Sequence, residues 1–149
     1  MENFKIEHFE KDNPSKEFPW FKTLSSDEAK VVYEEISRKI GTNVDPDQLV
    51  IKIDEIGTPI KFFNASNEDF ALTKVFETLN ISPNENVFIN WYRFDDIDEI
   101  CLEDLNLYFD DVWYPGSDDI DIFDANFSWI LSVSHSGDIK FLKTDRVAQ

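Results

Sequence analysis

The sequence predicts an α+β fold, a mainly antiparallel sheet of five or six strands with about three helices packed over one side of it. Three observations lead there. The spacing of apolar residues switches between the helical and the strand period, in the order helix, two strands, helix, strand, helix, three strands. No internal repeat and no Gly- or Ser-rich linker divides the chain, so residues 1–149 read as one domain. Apolar residues make up 42% of the chain, including 14 Phe and 4 Trp, and disorder is excluded on that composition. A chain of this length buries roughly 70% of its unfolded surface, enough for a core without metal or disulfide.

The elements follow in order. Residues 1–24 form an N-terminal strap: Phe4, His8 and Phe9 can line a short helix, and Pro14 and Pro19 break anything regular beyond it. Phe18, Trp20 and Phe21 pack this strap on the body. Ser25 and Glu28 fit a capping box, Val31, Val32, Ile36 and Ile40 form a stripe, and Gly41 stands at the C-cap, which predicts a helix over 26–40. Leu49, Ile51 and Ile53 alternate with Val50, Lys52 and Asp54 and read as a strand, turned by Gly57-Thr58-Pro59 into a second strand over Ile60–Asn64. A second helix follows Ser66, with Asp69 in its first turn and Leu72, Val75, Phe76 and Leu79 on its buried face. Val87, Ile89 and Trp91 alternate as a strand, and Leu102, Leu105 and Phe109 predict a third helix at roughly 100–110. Strands follow at Ile120–Phe123 and Ser128–Ser134. His135-Ser136-Gly137-Asp138 then reverses the chain into Ile139–Leu142.

Charge bounds the partners. Against 31 Asp and Glu stand 14 Lys and Arg, a net charge of −17. Nucleic-acid affinity comes largely from Lys and Arg displacing counterions, and anionic membranes attract the same residues, so binding to either is not expected. The acids are concentrated: Phe94–Ile139 holds 13 acids and no Lys or Arg. Unrelieved like charge destabilises a compact state. Trp91, Tyr92, Tyr108, Trp113 and Tyr114 are interleaved with those acids, a combination suited to steering and anchoring a basic protein. The predicted binding face therefore comprises Asp95, Asp96, Asp98, Glu99, Asp110, Asp111, Asp118, Asp119 and Asp121, with Trp113 and Tyr114 as anchors.

Catalytic and metal chemistry find little footing. Cys101 cannot form an internal disulfide and reads as a small core residue. His8 and His135 are the only histidines, and no Gly-x-Ser-x-Gly elbow accompanies them. Asp110 and Asp111 are sequence neighbours that point about 100° apart on a helix and do not make a dyad. Asp118, Asp119, Asp121 and Asp124 lack the spacing, central Gly and terminal Glu of a calcium loop. The glycines are isolated and cradle no phosphate. No catalytic residue, metal or cofactor is expected. The N-terminus has no basic region followed by an apolar stretch, and no apolar run reaches membrane-spanning length, so the expected location is the cytoplasm.

The segment Asp110-Asp111-Val112-Trp113-Tyr114-Pro115-Gly116-Ser117-Asp118-Asp119-Ile120, with Phe127–Leu131 and His135–Ile139, resembles small bacterial immunity proteins encoded beside polymorphic toxins, including those of contact-dependent inhibition systems. The likeness lies mainly in residues 108–142. It implies binding without turnover: one-to-one capture of a toxin domain, often a basic nuclease, whose Lys and Arg meet acids that imitate phosphates. Two alternatives stay open. One is an acidic nucleic-acid mimic that sequesters a DNA-binding protein; the other is a small-ligand protein or enzyme with a pocket near His135.

Overall fold

The computed structural model describes residues 1–146. Its centre is one antiparallel sheet of seven strands: β1 (Phe21–Thr23), β2 (Thr58–Asn64), β3 (Asn86–Asn90), β4 (Ile97–Cys101), β5 (Ile120–Phe123), β6 (Trp129–Val133) and β7 (Asp138–Lys143). Their spatial order is β1-β4-β3-β5-β6-β7-β2. Six helices accompany it: α1 (Asn3–Asp12), α2 (Ser26–Ile40), α3 (Pro46–Ile56), α4 (Leu72–Thr78), α5 (Leu102–Leu107) and α6 (Phe109–Val112). The α+β class and the antiparallel sheet are as expected, but the sheet is larger than five or six strands and the helices exceed three.

The helices also cover both faces, not one. Successive strand residues point to opposite sides, and in the central strands both sets are apolar. Ile120, Ile122, Leu131 and Val133 pack with α4, α5 and α6, while Phe123 and Ile130 pack with α2 and α3. A strand that is apolar on both faces needs two covering layers. Burial of all four β5 residues, Asp121 included, follows from that position.

Several elements stand where periodicity put them. Helix α2 has the full capping box, with Ser25 Oγ accepting from the Glu28 amide at 3.2 Å and Glu28 Oε1 accepting from the Ser25 amide at 3.0 Å. Gly41 closes it in the left-handed conformation. The short N-terminal helix is α1, and the strap beyond it ends as edge strand β1.

The reading of residues 49–54 as a strand is corrected: they lie in α3. Leu49, Val50 and Ile53 are buried together at helical spacing, while Ile51 is exposed. Alternation of β-branched residues masked a helix whose start was marked by Pro46 at the first turn. The second helix begins at Leu72 rather than soon after Ser66. The stretch Ile97–Cys101 is strand β4, hidden in sequence by its acids Asp98 and Glu99, and the predicted third helix is split into α5 and α6 at Tyr108.

Two buried ion pairs fasten the N-terminal segment. Lys5 is fully buried; its Nζ lies 2.6 Å from Asp118 Oδ2 and 4.0 Å from the centre of the Trp91 ring. The amino group of Met1 pairs with the buried Asp98, which also accepts from Thr23 Oγ1 at 2.6 Å and Trp91 Nε1 at 2.9 Å. Acids in the C-terminal half are thereby neutralised by cations from the first five residues.

Candidate functional site

At one end of the sheet two cavities adjoin, sharing Tyr92 and Asp119 in their walls. The larger, of about 400 Å³, lies between α3 and the strands β5, β6 and β7. The smaller, of about 290 Å³, is walled by Met1, Glu2, Trp91, Asp96, Ser117 and Asp118. Together they form a groove lined by the acids Glu2, Asp54, Asp96, Asp118, Asp119, Asp121 and Asp138. Among the described residues Lys140 is the one lysine or arginine on its walls, and its ammonium is already held by Asp54, 2.9 Å from the backbone oxygen and 3.1 Å from Oδ1.

The base of the larger cavity is built by strand register. Asn90 of β3 pairs with Asp121 of β5, Asp121 with Ser132 of β6, and Ser132 with Lys140 of β7. Pairing places these four side chains in one row across the sheet, on the face covered by α3. Asp121 is 5% exposed. Its Oδ1 accepts from Ser132 Oγ at 2.6 Å and its Oδ2 from Asn90 Nδ2 at 3.2 Å. Burial, seconded by the charges of Asp54 and Asp119 and offset by those two hydrogen bonds, pushes the Asp121 carboxyl up to about 6.

Asn90 ties this base to the rim. Its Oδ1 accepts from the Phe94 amide at 2.8 Å, which holds the loop between β3 and β4. That loop carries Tyr92 at φ +96° and Phe94 at φ +58°. A side chain at such a positive φ strains the backbone by roughly 1–3 kcal/mol, and strain of this kind gathers where a chain must present a residue. Tyr92 is presented: it is 46% exposed and stands between the two cavities. Tyr92→Gly is expected to raise stability by about 1 kcal/mol, by relief of strain, in chemical denaturation. The same change takes the aromatic ring out of the groove.

No family model, curated protein sequence or solved structure matches this chain. The site must therefore be read from its own residues.

The predicted face is divided by the fold. Asp95, Asp96 and Asp110 are exposed, while Glu99, Asp111, Tyr114 and Asp119 are half-buried. Asp98, Asp118 and Asp121 are buried and engaged inside the protein, which removes them from any exposed acidic face. Asp118 and Asp121 still help to line the groove. Trp113 is 1% exposed; it stacks on Phe109 and donates from Nε1 to the Asp118 carbonyl at 3.0 Å, so it is a core residue and not a surface anchor. Tyr114 packs against Phe4 and His8 beside α1. Burial and the neighbouring Asp110 and Asp12 raise the Asp111 carboxyl above its ordinary range.

Sequence reading missed Asp54, Asn90, Ser132 and Lys140, and gave Tyr92 no special place. Three of them belong to the polar row, whose one legible sign was a polar residue within each otherwise apolar strand. Asp54 was placed on a strand that does not exist.

His135 occupies the hairpin turn as expected, and there its backbone N–H and Nδ1 meet Asp119 Oδ1 at 2.7 and 2.9 Å. A carboxylate thus orients the ring, but none of the neighbouring serine hydroxyls is bonded to it: Ser136 Oγ donates to Asp138 and is paired with Ser134 Oγ. A nucleophilic triad needs that missing bond. Among the described residues no three His, Cys, Asp or Glu side chains converge as metal ligands.

Proposed function

We propose that the protein is a stoichiometric inhibitor that captures a basic protein, in the manner of an immunity protein holding a toxin domain, and that it does so in the cytoplasm by binding without turnover. The observation that carries this reading is the groove: carboxylates from α3, β5, β7 and two loops converge around an exposed tyrosine, and the one lysine among the described residues there is already paired. Such a surface attracts Lys and Arg at long range and offers an aromatic face to hold them. Nucleic acid is repelled by the same field. Among the described residues no helix is long and apolar enough to cross a membrane.

The test is capture followed by kinetics. A tagged protein used as bait in source-cell lysate, eluted by a salt step, is expected to yield one basic protein near one-to-one. With that partner, Asp95→Lys, Asp96→Lys and Asp138→Lys combined are expected to slow association about tenfold at low salt and flatten its salt dependence, with the unfolding midpoint unchanged. Association at the parent rate would reduce the acidic face to a solubility feature. Many nucleic-acid-binding proteins eluting together at low salt would favour a nucleic-acid mimic instead.

A further inference from the structure

We propose that the larger cavity is a socket for a single extended cationic side chain, a lysine or arginine of the captured protein, whose charged end meets Asp121 and whose alkyl stem lies along Val50, Ile51 and Val133. The idea rests on the basic-partner reading for the source of the cation, while the chemistry of the socket stands on the cavity itself. Asp121 is a carboxylate nine-tenths buried at the cavity's base, with one hydrogen bond to each oxygen and no cation paired with it among the described residues. An ionised carboxylate accepts about four hydrogen bonds, so acceptor capacity remains. A buried charge without a counter-charge is costly unless it takes up a proton or a cation.

The surroundings favour positive charge of either kind, and the open volume in front of Asp121 is what admits a cation. Asp54 faces Asp121 from α3, Asp119 from the start of β5 and Asp138 from β7, and each favours a cation over another anion. Lys140 from β7 is bound to Asp54 and does not neutralise Asp121. His135 is bound to Asp119 and does not line the cavity. Apolar walls between a charged base and an acidic rim suit a cation on a four-atom stem better than a bare metal ion, which needs several converging oxygens. A cavity of about 400 Å³ accommodates either basic side chain.

The experiment is an NMR titration of the ¹⁵N-labelled intact chain with four probes: capped lysine and capped arginine (N-acetyl, methylamide), capped citrulline as the uncharged arginine shape, and n-butylammonium as a free amine. The two charged capped residues are expected to shift the amides of Asp121, Ser132 and Tyr92, and citrulline to bind about tenfold more weakly or worse. Affinity for the cations should rise with pH through about 6, as Asp121 ionises. Asp121→Asn and, at the exposed rim, Ile51→Trp should each remove binding; the second leaves the polar row intact and guards against a folding effect of the first.

Equal binding of citrulline, shifts confined to other residues, or parent-like binding by both variants would overturn the socket. Tighter binding of n-butylammonium than of either capped residue would overturn the protein side chain as the source. Capture of a basic partner by a chain whose cavity ignores all probes would refute this inference and leave the inhibitor reading intact. Probe binding in a chain that captures no basic protein would support the socket's cation chemistry against the inhibitor reading.

Discussion

Lys5→Ala is expected to lose about 3–5 kcal/mol of stability, the largest effect of any single change considered. The ammonium is fully buried, 2.6 Å from Asp118, with the Trp91 ring 4.0 Å away and the Tyr114 ring at 5.2 Å. Removing it strands Asp118, which is itself buried and retains only the Tyr114 amide, at 2.8 Å, on the oxygen that held the lysine. The penalty belongs to the orphaned carboxylate more than to the lost attraction. Lys5→Met combined with Asp118→Asn should therefore recover more than half of the loss, because the stem still fills its place and no charge is left behind. Urea denaturation of Lys5→Ala and of the combined variant measures this. A single-variant cost below about 1 kcal/mol would mean that water reaches Asp118 and that the pair is a surface pair in energetic terms.

Asp121→Asn should act in the opposite direction, raising stability near neutral pH by about 3 kcal/mol. The carboxyl is held near 6 in the folded protein against an ordinary 3.8, so between about pH 4 and 6 the folded state binds more protons than the unfolded state. Stability contributed by this group is complete below the unfolded value and is lost as pH rises through the folded one. Asparagine keeps the shape and removes the titration. The variant should match the parent near pH 4 and pull ahead as pH increases through 6, in denaturation curves taken across that range. Other carboxylates titrate over the same interval, and the difference between variant and parent isolates Asp121. A constant difference across the range would place the Asp121 carboxyl near its ordinary value.

How far the sequence could be read depended on which interactions were local. The capping box of α2, its glycine C-cap and the turn at Ser134–Asp138 depend on residues within a few positions of each other, and they formed as read. In that turn Gly137 has φ +89°, and an added Cβ would stand 2.1 Å from Asn64 Oδ1, a contact from another strand that only the fold reveals. Helix α3 was misread because Leu49, Ile51 and Ile53 alternate with Val50, Lys52 and Asp54 as in a strand, while the contact that decides it, Leu49, Val50 and Ile53 against the sheet, is tertiary. Strand β4 was missed because Asp98 and Glu99 read as surface, and no local signal told that the Met1 amine would meet Asp98 across 97 positions.

The same division holds for the candidate site. Composition by itself determined that the chain is strongly acidic, that its acids crowd into Phe94–Ile139, and that aromatic residues lie among them; these are sums over residues and need no geometry. Which acids face solvent was decided only by the tertiary structure. Side-chain period and strand register carried Asp98 and Asp121 inward, and the loop before β5 did the same for Asp118; Asp98 and Asp118 meet buried cations near the N-terminus, and Asp121 lies at the base of a cavity. The same register aligned Asn90, Asp121, Ser132 and Lys140 from four separate strands into one row. Charge is additive along a chain, whereas the environment of a charge is set by partners that are remote in sequence, and that environment distinguishes a solvated acid from a buried one.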